Sequence, residues 1–183
     1  MTPVHPVGIS RIVVSRRPGA RHLGVLRAGG LSMPVALGRS GIGFDKAEGD
    51  GRTPAGRWRI LVLLYRPDHG PRPMTRLPAR PIRPSDGWCD DRADRRYNRA
   101  VTLPMGGARK VSHERMWRDD ALYDLVLVID HNQRPRVAGR GSAVFVHLAR
   151  PGFKPTEGCV ALRRADMKRL LARLRPGAVI EIR

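Results

Sequence analysis

A chain of 183 residues with 41% hydrophobic content is long enough for one buried core and too apolar to be disordered throughout. Its 35 Lys and Arg against 16 Asp and Glu give a net charge of +19, which attracts polyanions, yet only 5% of residues are aromatic and the arginines are scattered. With no helix-turn-helix, zinc-finger or RNA-binding motif, no nucleic-acid partner is expected, and a simply arginine-rich surface explains the charge as well. No run reaches the ~20 apolar residues of a membrane span, so no transmembrane segment is expected. Met1 to Ser10 has two prolines and no apolar core of signal-peptide length. The two cysteines, Cys89 and Cys159, do not make a disulfide scaffold, and no Cys/His set has zinc spacing, so neither a metal nor a cofactor is expected.

In chain order, Arg11 to Val14 reads as a first strand, and Gly24 to Gly30 and Met33 to Gly38 as a second and third with glycine-bearing turns. Gly41 to Gly56 is a loop dense in glycine and charge, in which Pro54 and Gly56 set a tight turn ahead of a strand from Trp58 to Tyr65. Pro67 to Arg99 is too long for a simple connector, and long ordered loops are often functional. Within it, Trp88, Asp90, Tyr97 and Asn98 are the residue types that would recognise a peptide backbone and a zwitterionic terminus. The equal alternative is a loop pinned by buried Trp88 and Tyr97, with Asp90 and Asp91 capping turns. His113 to Trp117 predicts a short helix or turn, and its His-Glu pair lacks the second histidine of a metal motif. Tyr123 to Asp130 is the strongest strand of the chain. His131 follows it as a turn residue, with an assisting catalytic role as the less favoured alternative.

Ser142 to Leu148 is an apolar strand that delivers His147. Twelve positions later, Cys159 follows Gly158 at the end of a polar loop. A thiol needs a base or cation to become nucleophilic at neutral pH, and His147 can serve as either. Glycine lets the backbone approach a reacting carbonyl, so the Gly158 and Cys159 amides are candidate oxyanion donors. The plain alternative is a small buried cysteine and a satisfied core histidine. Arg164 to Leu174 predicts a helix with Met167, Leu170, Leu171 and Leu174 on one face, stopped by Pro176-Gly177. A helix so placed would set Cys159 near its positive N-terminus. Ala178 to Ile182 closes the chain as a strand. The expected fold is mainly β, a β-rich α+β domain built as a curled mixed sheet or sandwich with one helix in the C-terminal region.

The stretch Thr156-Glu157-Gly158-Cys159-Val160-Ala161-Leu162 resembles the signature of the L,D-transpeptidase family, the YkuD-type catalytic domain of bacterial cell-wall enzymes: Ser/Thr-His-Gly-Cys-Val-Arg-Leu after a histidine-bearing strand. Glu157 stands in place of the usual second histidine and Ala161 in place of the arginine, a "TEGCVAL" form similar to one branch of the family. The piece Thr53-Pro54-Ala55-Gly56-Arg57-Trp58 resembles a second family element and lies about 100 residues upstream, in the family's order. The branch carries a similar Trp-Cys-Asp and Tyr-Asn pair. The resemblance spans roughly Ile12 to Ile182, so residues 1–183 are expected to form a single catalytic domain.

The resemblance implies Cys159 as nucleophile, His147 as base and Gly158 in the oxyanion corner, acting on peptidoglycan stem peptides through an acyl-enzyme. With no Asp or Asn beside His147, a backbone carbonyl such as that of Leu148 is expected to orient the imidazole. Trp88, Asp90, Tyr97, Asn98, Thr156 and Glu157 are the candidate substrate-binding residues. Glu157 could meet a substrate ammonium group, pair with His147, or only face water. The implied setting is the periplasm or cell envelope, with a role in cell-wall biogenesis and cell shape, as a monomer. The rivals are an L,D-carboxypeptidase or amide hydrolase of the same chemistry, and a non-catalytic basic protein binding wall or nucleic acid.

Overall fold

The structure is a computed structural model that describes residues 8–107 and 110–183. The Met1 to Ser10 stretch, read above for an export signal, therefore lies mostly outside the described residues. Among the described residues no helix is long and apolar enough to cross a membrane.

The fold is strand-rich, as expected. One large sheet contains β1 (Ile9–Arg16), β2 (Leu23–Ala28), β3 (Leu31–Ala36), β6 (Gly56–Tyr65), β7 (Ala79–Pro81), β11 (Leu125–Ile129), β12 (Phe145–Leu148), β13 (Val160–Leu162) and β14 (Leu174–Ile182). Their order is β11-β12-β13-β3-β2-β1-β14-β6-β7. The long β6 pairs with β14 through its first half and with β11 and β7 through its second, so the row of strands returns on itself. A two-stranded pair, β4 (Ile42–Gly43) and β5 (Thr53–Pro54), brackets the charged loop. A separate three-stranded sheet orders β10 (His113–Arg115), β8 (Asp86–Cys89) and β9 (Arg99–Thr102).

Period-2 alternation sends each strand's side chains to two different cores. Leu125, Leu127, Ile129, Val146, Leu148, Val160 and Leu162 face the main core, together with Ile12, Val14, Leu26 and Ile180. Val126, Val128, Phe145 and Cys159 face outward into a second cluster with Trp88, Met116 and Tyr123. The small sheet thus roofs the outer face of the large one. Because β11 is covered on both faces, all five of its residues are buried and apolar, which is why it reads so strongly in the sequence.

Three local expectations are corrected. The single α-helix among the described residues, α1, spans Arg164–Leu171, not to Leu174. Leu174 instead opens β14, and Pro176-Gly177 lies inside that strand, where pairing with β1 slips from Ile9–Leu174 to Arg11–Val179. This is a bulge, which accommodates both the missing N–H of Pro176 and the positive φ of Gly177 (76°). His113–Arg115 is a strand paired with β8, neither helix nor turn. Tyr123 falls in a 3-10 turn, Ala121–Tyr123, capped by the Asp120 side chain, just before β11 begins.

Candidate active site

Strands β12 and β13 lie parallel, with Val146 beside Val160 and His147 beside Ala161. Cys159 immediately precedes β13. Phe145, His147, Cys159 and Ala161 therefore share the outward face, and His147, Cys159 and Ala161 line one cleft there. The remaining walls come from Lys46 and Glu48 of the charged loop, Asp90 just after β8, Glu114 of β10, Tyr123, and the basic residues Arg118, Arg150 and Lys154.

The Cys159 corner is held from several directions. The Phe145 N–H donates to Sγ at 3.3 Å, and the thiol donates to the Ala143 carbonyl at 3.3 Å. Thr156 braces the turn: its hydroxyl donates to the Cys159 carbonyl at 2.6 Å and accepts from the Gly158 N–H at 3.2 Å. Its own backbone is tied to Leu37 and Arg39. Gly158 has φ of 141°, and a Cβ there would lie 2.8 Å from the Arg52 carbonyl oxygen, so only glycine fits before the cysteine. Ala143 adopts φ of 48°, a left-handed conformation that costs an alanine roughly 1 kcal/mol and lets its carbonyl meet the sulfur.

His147 is held through Nδ1 to the Leu148 carbonyl at 2.9 Å, the backbone partner expected from the sequence. As that carbonyl can only accept, Nδ1 carries the proton and Nε2 the lone pair. The Tyr123 ring packs against the imidazole, centroids 5.4 Å apart. Burial pushes His147 down to about 4, helped by the Arg118 and Arg150 charges and opposed by the Leu148 hydrogen bond. Burial pushes the Cys159 thiol up to about 12, against the Phe145 amide and the Lys46 charge. Both groups therefore rest neutral at physiological pH. The helix-dipole expectation fails here, because β13 stands between Cys159 and the start of α1.

The other sequence-selected residues divide sharply. Asp90 lines the cleft, with its Oδ1 buried and without a hydrogen-bond partner among the described residues. Trp88, Tyr97 and Asn98 are buried beneath it and do not form its wall. Trp88 Nε1 donates to Asn98 Oδ1 at 2.9 Å, and Trp88 packs edge-on against Phe145. The Asn98 amide reaches the carbonyls of His131 and Asn132, while its oxygen also accepts from the Ala143 N–H at 3.2 Å. The Tyr97 hydroxyl donates to Glu48. This is the pinned-loop alternative, extended into a buried polar knot under the Cys159 corner. Glu157 stands at the mouth, with its side chain 79% exposed and paired with Arg39 rather than with His147. His131 lies in the turn after β11, edge-on to Trp58, and lines a different groove. Cys89 is fully buried in β8, away from the cleft.

Sequence reasoning passed over Lys46, Glu48, Glu114 and Tyr123. Glu114 accepts from the Tyr123 hydroxyl at 2.8 Å, and burial holds its carboxyl above the usual range. The available signal was weak: Lys46 and Glu48 sit in the charged loop, and Glu114 drew notice only within a rejected metal motif.

The sequence matches the L,D-transpeptidase catalytic domain family, YkuD, over residues 10–182. The chain belongs to this family. No curated protein matches it significantly. Among solved structures, this L,D-transpeptidase domain is similar to an L,D-transpeptidase from Mycobacterium tuberculosis H37Rv, at 14% identity and a TM-score of 0.44, covering 96% of this chain and 58% of that one. It is also similar to L,D-transpeptidase 3 of M. tuberculosis, at 13% identity and 0.44, covering 96% and 62%. A third is L,D-transpeptidase 1 of M. tuberculosis, at 12% and 0.36, covering 94% and 61%. The chain thus spans about three fifths of the length of these structures.

Proposed function

We propose that residues 1–183 act as one monomeric catalytic domain in the periplasm or cell envelope, joining peptidoglycan stem peptides through a cysteine acyl-enzyme. The observation that carries this reading is the sharing of one cleft face by Cys159 and His147, with Nδ1 of the imidazole engaged by the Leu148 carbonyl.

The resting pair is a neutral thiol and a neutral imidazole, so proton transfer accompanies attack rather than preceding it. His147 Nε2 takes the thiol proton as Sγ bonds to the amide carbonyl carbon of a diaminopimelate residue in the donor stem. The carbonyl π pair moves to oxygen. The Cys159 N–H is the first oxyanion donor, since the Gly158 N–H already bonds to Thr156 Oγ1 in the resting corner. Collapse breaks the C–N bond, and the leaving amine takes the proton from His147. An acceptor amine then loses its proton to His147 and attacks the thioester, returning the thiol. Thr156 serves by holding the turn. Asp90 and Glu114 present carboxyl groups to an incoming stem, and Glu157 meets it at the mouth.

The test is incubation with purified muropeptides and mass spectrometry of the products. Cross-linked dimers are expected, lost in Cys159→Ser and retained in a folded Cys89→Ser variant. Trimmed monomers alone would make the domain an L,D-carboxypeptidase. No reaction at all would refute acyl transfer and leave the non-catalytic wall-binding rival.

A further inference from the structure

The cleft contains a buried cation that the chemistry above does not use. Lys46 is only 6% exposed, although it lies in a loop between the short strands β4 and β5. Lysine is rarely buried without a reason, because removing an ammonium from water is costly unless it is paired. Here Nζ donates to the Ala47 carbonyl at 2.9 Å and to Asp50 Oδ1 at 2.5 Å. Asp50 is itself fixed by the N–H groups of Ala47 and Arg52, each at 2.8 Å; burial acts to raise its carboxyl, but these bonds together with that from Lys46 hold it below the usual range. The result is a clamped ammonium with three donors. Two of them are used, and no third partner exists among the described residues.

The clamp is aimed at the nucleophile corner. A Cβ built on Gly158 would lie 3.5 Å from both Cε and Nζ of Lys46, so the end of the lysine lies against the backbone next to Cys159. Lys46 also forms part of the cleft wall, and its charge acts on the thiol in the sense that favours thiolate. The other charges act elsewhere or in the opposite sense. Arg118 and Arg150 bear on His147, while Glu114 bears on Cys159 and disfavours thiolate. With His147 neutral at rest, Lys46 is the cation positioned to oppose negative charge at the Gly158–Cys159 corner.

We propose that Lys46 is a positioning residue for the acyl transfer read above. Its ammonium, fixed by Asp50, supplies the standing positive charge that makes the Cys159 thiol reactive within a buried, apolar setting. Preorganised charge of this kind is effective because it needs no rearrangement when negative charge develops.

The test needs no peptidoglycan, so it is separable from the transpeptidase reading. The second-order rate of Cys159 alkylation by iodoacetamide is followed by peptide mass spectrometry from pH 6.5 to 9.5, on variants shown folded by circular dichroism. Lys46→Met should lower the rate about tenfold across this range, equivalent to one pKa unit, and Lys46→Arg should recover most of it. Asp50→Asn leaves the lysine but removes the carboxylate that fixes it, so it should lower the rate toward that of Lys46→Met. A Lys46→Met rate within twofold of wild type, or Lys46→Arg as slow as Lys46→Met, overturns the inference. If neither lysine variant folds, Asp50→Asn decides alone: a slower thiol supports the role, and an unchanged or faster one refutes it. An alkylation rate that follows Lys46 in a protein giving no muropeptide product would leave this inference standing while acyl transfer fell.

Discussion

Acidification from pH 7.5 to 4.5 should destabilise the fold through two buried histidines, and the loss should be traceable to each. His147 and His131 are both 7% exposed, and burial sets each at about 4 against an ordinary value of 6.5. In this window the unfolded chain binds a proton at each site and the folded chain does not until the pH nears 4. Stability is therefore full above about pH 6.5 and lost as the pH falls through the interval to 4. Integrating for one site between pH 7.5 and 4.5 gives about 2.5 kcal/mol, and for two about 5 kcal/mol, which matches the whole stability of a marginal domain. Burial holds Glu114 above its ordinary range, and it acts in the opposite sense over part of the window. The clean quantity is thus a difference between variants, in which that contribution cancels. Urea unfolding can be followed by the fluorescence of the three tryptophans at both pH values. His147→Gln should lose about 2.5 kcal/mol less than wild type on acidification, a relative midpoint shift of about 1 M urea at an ordinary slope. If His147→Gln and wild type lose equal stability, His147 is not held neutral by its surroundings, and the neutral resting pair is refuted.

Gly158→Ala should cost about 1–3 kcal/mol of stability and lower turnover about 100-fold, because the methyl group meets the Arg52 backbone, which cannot rotate away; unfolding midpoints and muropeptide assays measure the two losses. Trp88→Phe keeps the ring against Phe145 but removes the bond to Asn98, so it should cost about 1 kcal/mol with KM for a stem peptide unchanged; a raised KM in a stable protein would restore Trp88 to the substrate wall. Glu157→Gln should raise KM for a donor bearing a free ammonium group by threefold or less, given the exposure of the carboxylate, and leave the pH dependence of Cys159 alkylation unmoved; a displaced alkylation profile would instead couple Glu157 to the thiol.

The strands with one or two buried faces were legible because their apolar residues repeat with the sheet's own period, β11 above all. The Cys159–His147 pairing was legible for a different reason: the two residues lie twelve positions apart across a short glycine-bearing loop, and the parallel register of the flanking strands sets Cys159 two positions from the level of His147 on the same face. The small roof was not legible. Its strands have three or four residues each, and they exist because Trp88 and Met116 pack onto Phe145 and Val128 from a distant part of the chain. Pro176-Gly177 misled because a proline and a glycine stop a helix and form a bulge equally well, and only the partner strand distinguishes the two. Lys46 was hidden among the charges of its loop, since local sequence does not reveal which lysine of a polar stretch will be buried.

The directions of the strands fix where anything joined to this domain must emerge. Passing from β1 through β2 and β3 to β13 crosses three antiparallel steps, so β13 runs opposite to β1, and β14 runs with β1. Cys159, at the start of β13, therefore lies toward the rim where β1 and β14 finish. β1 itself begins at the far rim, roughly 25 Å along the strand from the cleft side. Polypeptide attached after Arg183 departs on the cleft side. A bulky group joined directly after Arg183 therefore stands beside the cleft that holds Cys159 and His147.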